Sequence, residues 1–521
     1  MMPTRYDADA IRRRDMTTRY DAIRRRRDTT MPHILTIDIG TSSARVMLFD
    51  GMGHAVAGVL AQESLFLTSA PDGTATMDIA ATLDAVYRCV DTALIQAGQR
   101  ANEIAAVAVA TFASSFVMLG ADRQPLTPLI LYSDTRNTSD AVQLRGELAE
   151  RTMHDATGCL LRTSYWPARL VWLRRTQPGI WQQAAYFATL GELLEQLLFG
   201  QSRVSNSVAS WTGLLDRRTL DWYAPLLAHL GIMPAQLGRL VDASVPIRGL
   251  VAPFRARWPV LADIPWFPAI GDGAAANIGS GCVDAHTLAL TVGTTGALRV
   301  VRPSVVQVPS GLWCYRVDAR RALLGGATSE GGNVFAWTRA TLRLDAADLE
   351  AALAAMPPDN HGLTILPLFA GERSPGWAGN ARATISGITL STTPLEIVRA
   401  SLEAVAYRFA MIADTLIAGD PTPPAVIASG GALLRSPLWM QICADTLGIP
   451  MTASAEREGT SRGAALMALE SLGTISSVVA LPAALGATYQ PDPVRHAIYR
   501  GAVERQRELY EKLIMKDDAE C

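Results

Sequence analysis

Two short stretches in opposite halves of the chain share one pattern: an apolar run, a glycine, small hydroxyl residues and a second apolar run. They span residues 35–46 and 290–299. Each predicts a β-hairpin whose tight turn presents backbone N–H groups and hydroxyls. Two such turns that face each other could hold a polyphosphate between two lobes. Only the first copy has a carboxylate before its glycine, because Thr291 takes the place of Asp38. This asymmetry suits a nucleotide with one metal-facing side.

Size and composition indicate a globular protein with two full hydrophobic cores. The chain has 521 residues, of which 49% are hydrophobic and 18% charged. Its formal net charge of -2 offers no general basic field for nucleic acid. No apolar run reaches the ~18 residues of a membrane span. The six cysteines form no C-x-x-C pair, which argues against structural zinc and a disulfide framework and favours reduced thiols in the cytoplasm.

The first thirty residues differ from the rest. The pentapeptide Thr4-Arg5-Tyr6-Asp7-Ala8 recurs at residues 18–22, and an arginine run follows each copy. Such a segment, with almost no large aliphatic residues, cannot build a core, so disorder is expected over residues 1–30. Its five aspartates argue against a transit peptide. We expect Met31 to be the start of translation, or at least the residue where the fold begins.

The order of predicted elements indicates an α/β protein in which one design is used twice. The first lobe is predicted to open with strands at 34–39, 44–49 and 55–59 and a helix at 79–97. The second is predicted to contain strands at 287–292 and 297–301 and helices at 395–417 and 459–472. The lobe boundary is placed near 280–286. The expected units are residues 31–282, 283–485 and a helical tail at 486–521.

In this order the pieces resemble the FGGY carbohydrate kinases, members of the actin, hexokinase and heat-shock-70 ATPase superfamily. The resemblance covers about residues 33–480 and implies two ribonuclease-H-like (actin-like ATPase) α/β lobes around a central cleft. A single G-T-[ST] turn is a weak signal, but five stretches occur in the family's order. They are Asp38-Ile39-Gly40-Thr41-Ser42-Ser43-Ala44-Arg45, Tyr132-Ser133-Asp134-Thr135-Arg136, Gly271-Asp272-Gly273-Ala274-Ala275, Gly293-Thr294-Thr295-Gly296, and Gly430-Gly431-Ala432 followed by Trp439-Met440-Gln441.

Two further stretches look most similar to gluconokinase-type members of the family. They are Thr157-Gly158-Cys159 with Tyr165-Trp166-Pro167, and Gly371-Glu372-Arg373-Ser374-Pro375-Gly376-Trp377 with Ala381-Arg382. The resemblance therefore favours gluconate-type sugar acids among the substrates of the family.

The resemblance also implies an ATP and Mg²⁺ site. Phosphate contacts fall on Gly40, Thr41, Ser42 and Ser43 in the first lobe and on Gly293, Thr294 and Thr295 in the second. The adenosine motif corresponds to Gly430, Gly431 and Ala432. Arg45 is expected to reach the transferring phosphoryl group, and Asp38 and Asp272 to face the metal, Asp38 through water. The residues alone leave open an exposed strand position for Arg45, a turn cap for Asp38 and an ordinary strand-to-helix turn at 430–432.

Asp272 is the predicted general base. It stands where a strand ends and a helix begins, between two glycines that would leave room for a ligand. A carboxylate there could accept the proton of a sugar hydroxyl as it attacks the γ-phosphorus. Without the resemblance, an aspartate before an alanine-rich helix is most simply an N-cap.

Sugar binding is assigned to Asp134, Arg136, Trp166, Asp272 and Glu330. Polar side chains bind hydroxyls and an aromatic face covers C–H surfaces, although Trp166 could equally be a core residue. Segment 111–115 lacks the polar set of many sugar-specific members, and Phe112-Ala113 replaces the Arg-Glu pair of glycerol-specific ones. An aldonate such as gluconate needs a cation, for which Arg136, Arg162 and Arg169 are available.

The function that these patterns favour is ATP-dependent phosphorylation of a sugar, sugar acid or polyol. A xylulose- or ribulose-type ketose kinase is the alternative within enzymes. A non-catalytic ATP-binding protein on the same fold is the alternative outside them, and it need not keep a base such as Asp272. Partners are therefore small molecules rather than nucleic acid or a membrane, and a homodimer is left open.

Overall fold

The computed structural model describes residues 32–344, 349–418 and 424–515. The duplicated segment at 1–30 and the predicted start at Met31 lie outside these ranges, as does the end of the tail beyond residue 515. Within the described ranges, none of the helices combines the length and apolar character needed to cross a membrane.

The strands of the first lobe are β1 (His33–Ile39), β2 (Ser43–Phe49), β3 (Ala55–Ser64), β4 (Leu67–Ser69), β5 (Ala75–Met77), β6 (Ile104–Thr111), β7 (Val117–Leu119), β8 (Leu129–Ile130), β9 (Tyr186–Ala188), β10 (Arg203–Ser205), β11 (Leu215–Asp216), β12 (Asp221–Trp222), β13 (Arg239–Val241) and β14 (Ile270–Gly271). Five of them form the main sheet of the lobe, in the order β14-β6-β1-β2-β3. Because β1 pairs antiparallel with β2 and parallel with β6, the first glycine turn lies at the same edge as the end of β6.

Helices cover this sheet and form a large helical extension. They are Ile79–Ala97, Thr138–Glu147, Glu150–Thr157, Trp166–Thr176, Pro178–Gln183, Leu190–Phe199, Asn206–Ser210, Ala224–Leu230, Ala252–Arg257 and Asp272–Gly279, with 3₁₀ turns at Gly98–Glu103, Pro234–Gln236 and Pro259–Leu261. The predicted helix 79–97 is confirmed at both ends. Asp78 caps it by accepting from the Ala81 N–H at 2.7 Å, and Gly98 ends it at φ 57°.

The strands of the second lobe are β15 (Thr287–Val292), β16 (Gly296–Arg302), β17 (Trp313–Arg316), β18 (Ala322–Thr328), β19 (Thr364–Leu366), β20 (Thr384–Ser386), β21 (Ala425–Ser429), β22 (Met451–Ser454) and β23 (Leu485–Tyr489). Seven of them form the main sheet of the lobe, in the order β17-β18-β16-β15-β21-β22-β23. The antiparallel hairpin β15–β16 beside the parallel strand β21 repeats the arrangement of β1–β2 beside β6.

The helices of the second half include the two predicted at 395–417 and 459–472. They are Gly332–Leu342, Leu349–Ala354, Pro394–Ile417, Gly431–Leu434, Pro437–Leu447, Gly459–Ser471 and Pro493–Leu513, with a 3₁₀ turn at Val478–Ala480. The helix Pro394–Ile417 starts at a capping box in which Thr393 and Glu396 satisfy each other's backbone N–H groups. It runs through the core of the second lobe, and Phe409 and Ile412 are fully buried.

One helix of the second half belongs, in space, to the first lobe. Gly459–Ser471 packs on the first sheet in a core shared with Ile34, Met47 and Phe49. It also crosses Asp272–Gly279 at very close range, since a Cβ on Gly463 would lie 1.8 Å from the Ala275 carbonyl oxygen. The small residues predicted for close packing are therefore required where the Asp272 helix is positioned.

Candidate active site

The first glycine turn joins β1 to β2 at the cleft. Gly40 N–H donates to the Ser43 carbonyl at 2.9 Å, which closes the turn and leaves Thr41 and Ser42 at its tip. Asp38 and Arg45 are direct partners across the hairpin, with 4.0 Å between Oδ2 and Nη1. Asp38 is only 7% exposed. The turn thus presents backbone N–H groups and hydroxyls beside a buried acid and a half-buried arginine.

The second glycine turn joins β15 to β16 and is closed in the same way. Gly293 N–H donates to the Thr295 carbonyl at 3.0 Å, and Thr294 and Thr295 are exposed. Gly332 N–H donates to the Gly293 carbonyl at 2.8 Å, so the start of the helix Gly332–Leu342 holds the turn from behind. The repeated hairpin predicted from the sequence is confirmed in both lobes.

The third glycine stretch lies against the second turn. Gly430 adopts φ 93°, and a Cβ there would lie 2.3 Å from the Val292 carbonyl oxygen. Ala432 is close to Gly332, since a Cβ on Gly332 would approach its Cβ to 2.6 Å. The structure therefore brings the predicted phosphate residues 293–295 and the predicted adenosine residues 430–432 together on one lobe.

Asp272 begins the helix Asp272–Gly279 directly after β14. The N-cap position belongs to Gly271, and the Asp272 carboxylate accepts from the N–H of Gly273 at 2.7 Å. The simple capping explanation therefore does not account for this residue. Burial raises the pKa of Asp272, while the Gly273 hydrogen bond and the positive charge of Arg299 oppose the shift.

The two glycines beside Asp272 have a different role from the one expected. A Cβ on Gly271 would lie 2.9 Å from Nε1 of Trp211, and a Cβ on Gly273 would lie 3.0 Å from its Cη2. The missing side chains thus make room for the indole ring of Trp211, which packs on the backbone that carries the carboxylate. This packing fixes the position of Asp272.

The first lobe concentrates negative charge near this carboxylate. Burial and the nearby charge of Asp272 raise the pKa of Asp38 to about 7, and Glu458 adds to the effect. Arg45 opposes the shift and lies 3.6 Å from Glu458, measured from Nη1 to Oε2. Arg45 acts on Asp38, and Arg299 acts on Asp272. Two arginines among three carboxylates leave an excess of negative charge, and such a donor set fits a hard divalent cation.

A cavity of about 320 Å³ opens in front of Asp272, between the lobes. Thr291, Thr295 and Gly296 of the second hairpin form part of its wall. A cluster of three rings forms another part: the Tyr315 ring lies 4.1 Å from Trp211 and 4.3 Å from Trp313, and the two indoles are 6.0 Å apart, measured between ring centroids. The cavity thus combines a carboxylate, hydroxyls and aromatic faces, which are the groups that bind a polyhydroxylated molecule.

The predicted sugar residue Trp166 requires a correction. Its side chain is 1% exposed, its indole N–H donates to the Ser115 carbonyl at 3.1 Å, and its ring packs edge-on against Phe116. Trp166 is the first residue of the helix Trp166–Thr176, whose N-terminal end faces the core, so buried side chains surround the ring. The aromatic faces available in the cavity are those of Trp211, Trp313 and Tyr315.

Asp134 and Arg136 also lie apart from the residues that line the cavity. They form a salt bridge with 2.7 Å between Nη2 and Oδ2, and Asp134 also accepts from the Ala75 N–H at 2.9 Å. Arg136 covers the ring of Trp172 at 4.5 Å. The pair is therefore engaged in joining strands and helices of the first lobe.

Glu330 is close to the cavity without lining it. Its side chain is 1% exposed, and burial raises its pKa to about 7, against the opposing charges of Arg408 and Arg373. One carboxylate oxygen of Glu330 has no hydrogen-bond partner among the described residues.

The arginines proposed for a carboxylate are all engaged elsewhere. Arg162 is paired with Glu150, and Arg169 donates to the carbonyls of Ser114 and Leu131 at 2.9 and 2.8 Å. Two other arginines, Arg299 and Arg373, line the cavity instead. Both stand inside stretches that the sequence had singled out, the second hairpin and the 371–377 segment. The position of Arg299 on the strand after the second turn and the position of Arg373 in the 371–377 segment were signals that could have identified them.

Known proteins match the chain over nearly its whole described length. The model of the N-terminal domain of the FGGY family of carbohydrate kinases matches residues 33–279, and that of the C-terminal domain matches residues 288–472. A gluconokinase of Bacillus subtilis (strain 168) is 26% identical over 477 residues, which cover 89% of this chain and 92% of the relative. A glycerol kinase of Polaromonas naphthalenivorans is 33% identical over 466 residues, covering 86% and 92%.

Solved structures match as completely. A gluconate kinase from Lactobacillus acidophilus has a TM-score of 0.87 at 26% identity and covers 93% of this chain and 99% of its own. A xylulose kinase from the same organism has a TM-score of 0.87 at 26% identity, with 93% and 98% covered. The paired hairpins, the cleft and these matches agree, and the chain belongs to the FGGY family of carbohydrate kinases.

Proposed function

We propose that this chain transfers the γ-phosphoryl group of ATP to a hydroxyl of a gluconate-type sugar acid. The observation that carries the proposal is the position of Asp272, a partly buried carboxylate at the wall of a cavity between the lobes that the second glycine turn also lines. The similarity to a gluconokinase and a gluconate kinase supports the choice of substrate.

In this proposal Asp272 is the general base. Its carboxylate accepts the proton of the substrate hydroxyl while the hydroxyl oxygen attacks the γ-phosphorus and the bond to the β-phosphate oxygen breaks. The Gly273 N–H and Trp211 hold the carboxylate in place. Closure of the lobes over the cavity would exclude water and so limit hydrolysis of ATP.

The residues present fit ATP and Mg²⁺. Two turns offer backbone N–H groups and hydroxyls to phosphate oxygens, at Gly40, Thr41, Ser42 and Ser43 and at Gly293, Thr294 and Thr295. Gly430, Gly431 and Ala432 would lie against the adenosine, and Arg45 beside the transferring group. Asp38 and Asp272 would hold the metal, since burial and the nearby charge of Asp272 raise the pKa of Asp38 and a cation would oppose that shift. Bound Mg²⁺ would neutralise charge on the phosphates.

Other substrates remain the natural alternatives. The similarity to a xylulose kinase and a glycerol kinase favours testing a ketose and glycerol. Phe112 and Ala113 argue against glycerol, because two apolar groups stand where a polar pair would bind its hydroxyls. A non-catalytic ATP-binding protein would not need Asp272 in the cavity.

The test is a substrate screen with Mg-ATP against gluconate, xylulose, ribulose, glycerol and erythritol, following ADP release. We expect turnover with gluconate and a loss of about 1,000-fold in kcat in Asp272→Asn, with ATP binding retained. Near-normal turnover by Asp272→Asn would remove Asp272 from the role of base. Turnover of xylulose alone would reassign the substrate, and ATP binding without any turnover would favour the non-catalytic alternative.

A further inference from the structure

Two arginines from the second lobe point to the kind of group that the cavity accepts. Arg299 lies on β16, and Arg373 lies in the loop after β19; both line the cavity that contains Asp272. Each brings a positive charge to a wall on which Asp272 is the single carboxylate, as far as the described residues extend. The two arginines and Asp272 together give the lining of this cavity a net positive charge.

Neither guanidinium has an acidic partner within salt-bridge distance in the described part of the chain. Arg299 makes one long contact, 3.5 Å from Nη1 to Oγ1 of Thr291. The Nε atoms of Arg299 and Arg373 are both buried without a hydrogen-bond partner. A buried donor without a partner is costly, and an anion in the cavity would supply the missing acceptor, so the two arginines favour an anionic ligand.

The neighbours of Arg373 indicate that the anion belongs to the sugar substrate and is not a phosphate of ATP. The charge of Arg373 acts on the hydroxyls of Tyr165 and Tyr315, which are hydrogen-bonded to each other at 2.6 Å. Tyr315 belongs to the aromatic cluster that would cover the C–H surface of a sugar. The phosphates of ATP are expected to bind elsewhere, at the two glycine turns and Arg45.

We infer that Arg299 and Arg373 bind the carboxylate of the substrate, so that the enzyme selects aldonates over neutral sugars and polyols. This inference rests on the proposed function and adds the residues that determine its specificity. Planar guanidinium groups suit a carboxylate because they donate parallel hydrogen bonds to its two oxygens. Arg373 is the cleaner selector, because Arg299 also acts on the charge of Asp272.

The test compares D-gluconate with D-glucitol, which has the same carbon chain but a hydroxymethyl group in place of the carboxylate. We expect the wild-type protein to prefer gluconate by at least about 100-fold in kcat/KM. Arg373→Gln should lower kcat/KM for gluconate about 100-fold and leave the value for glucitol and the KM for ATP nearly unchanged. Arg373→Lys should recover part of the loss, and Arg299→Gln should affect both substrates.

Controls separate this inference from folding and from the proposed function. Arg255→Gln removes an exposed arginine paired with Asp263 and should behave as wild type, and thermal unfolding should confirm that each variant folds. Calorimetry without ATP should show that gluconate binds wild type and not Arg373→Gln, whether or not turnover occurs. Equal use of glucitol and gluconate would overturn the inference and leave a kinase. A raised KM for ATP in Arg373→Gln would instead assign the arginine to phosphate.

Discussion

The two glycine turns share a backbone and differ in charge. In the first lobe Asp38 precedes the glycine and faces Arg45 across the hairpin. In the second Thr291 takes that position, shares a hydrogen bond of 2.9 Å with Ser429, and lies below Arg299. This one position therefore changes the charge beside a common turn. In the proposed site the first lobe gathers carboxylates for a cation, and the second presents hydroxyls and guanidinium groups for anions.

Two buried carboxylates, one in each lobe, show how pairing decides whether a buried acid is charged. Glu192 of the first lobe is a capping residue without a cation, and burial raises its pKa to about 7. Burial alone would also raise the pKa of Glu403 in the second lobe, but hydrogen bonds from His361 and Arg399 hold it below its usual range. Glu192 is thus a buried acid whose charge is disfavoured, and Glu403 is a buried acid whose charge is paired.

The largest effect is expected from removing the acid of the first turn. Asp38→Asn keeps the shape of the side chain but takes away half of the proposed metal site, so kcat should fall about 1,000-fold. Calorimetry should show weaker Mg²⁺ binding in the presence of ADP. Unchanged Mg²⁺ affinity would mean that Asp38 only caps the turn, and the contrast between the turns would lose its functional meaning.

Glu403→Gln tests whether the paired acid stabilises the second lobe. Glu403 is fully buried and receives Arg399 Nε at 2.6 Å and the Tyr499 hydroxyl at 2.9 Å. Removing the charge leaves the guanidinium buried without a counter-ion, so the free energy of unfolding should fall by about 3 kcal/mol. Chemical denaturation measures it. A change under about 1 kcal/mol would show that the network relaxes at little cost.

Thr291→Asp makes the second turn resemble the first. The new carboxylate would lie within reach of Arg299 and pair with it, withdrawing that cation from the cavity. We expect kcat/KM for gluconate to fall about tenfold. Thr291→Ser, which keeps the hydroxyl, is the matched control. Activity equal to wild type in Thr291→Asp would indicate that the difference between the turns is incidental.

The sequence predicted what is local and missed what the fold assembles. The turns, the helix at 79–97 and the capping of 394–417 follow from neighbouring residues, and they are confirmed. Trp166 was misplaced because burial depends on a helix packing against a distant strand. Arg299 and Arg373 were missed because only the fold brings β16 and the 371–377 loop to one cavity.

The smallest expected effect is a difference in pH dependence between Glu192 and Glu403. The folded-state pKa of Glu192 is raised from 4.5 to about 7, so the native state binds this proton more tightly than the unfolded chain. The free energy of unfolding should therefore fall as pH rises from about 4.5 to 7. Glu192→Gln cannot titrate, so its melting temperature should fall less between pH 5 and 8 than that of wild type. Because the pKa of Glu403 is lowered, its carboxylate is ionised in both states across this range, and Glu403→Gln should keep the wild-type slope. Parallel curves for wild type and Glu192→Gln would show that solvent reaches Glu192, and the contrast between Glu192 and Glu403 would then disappear.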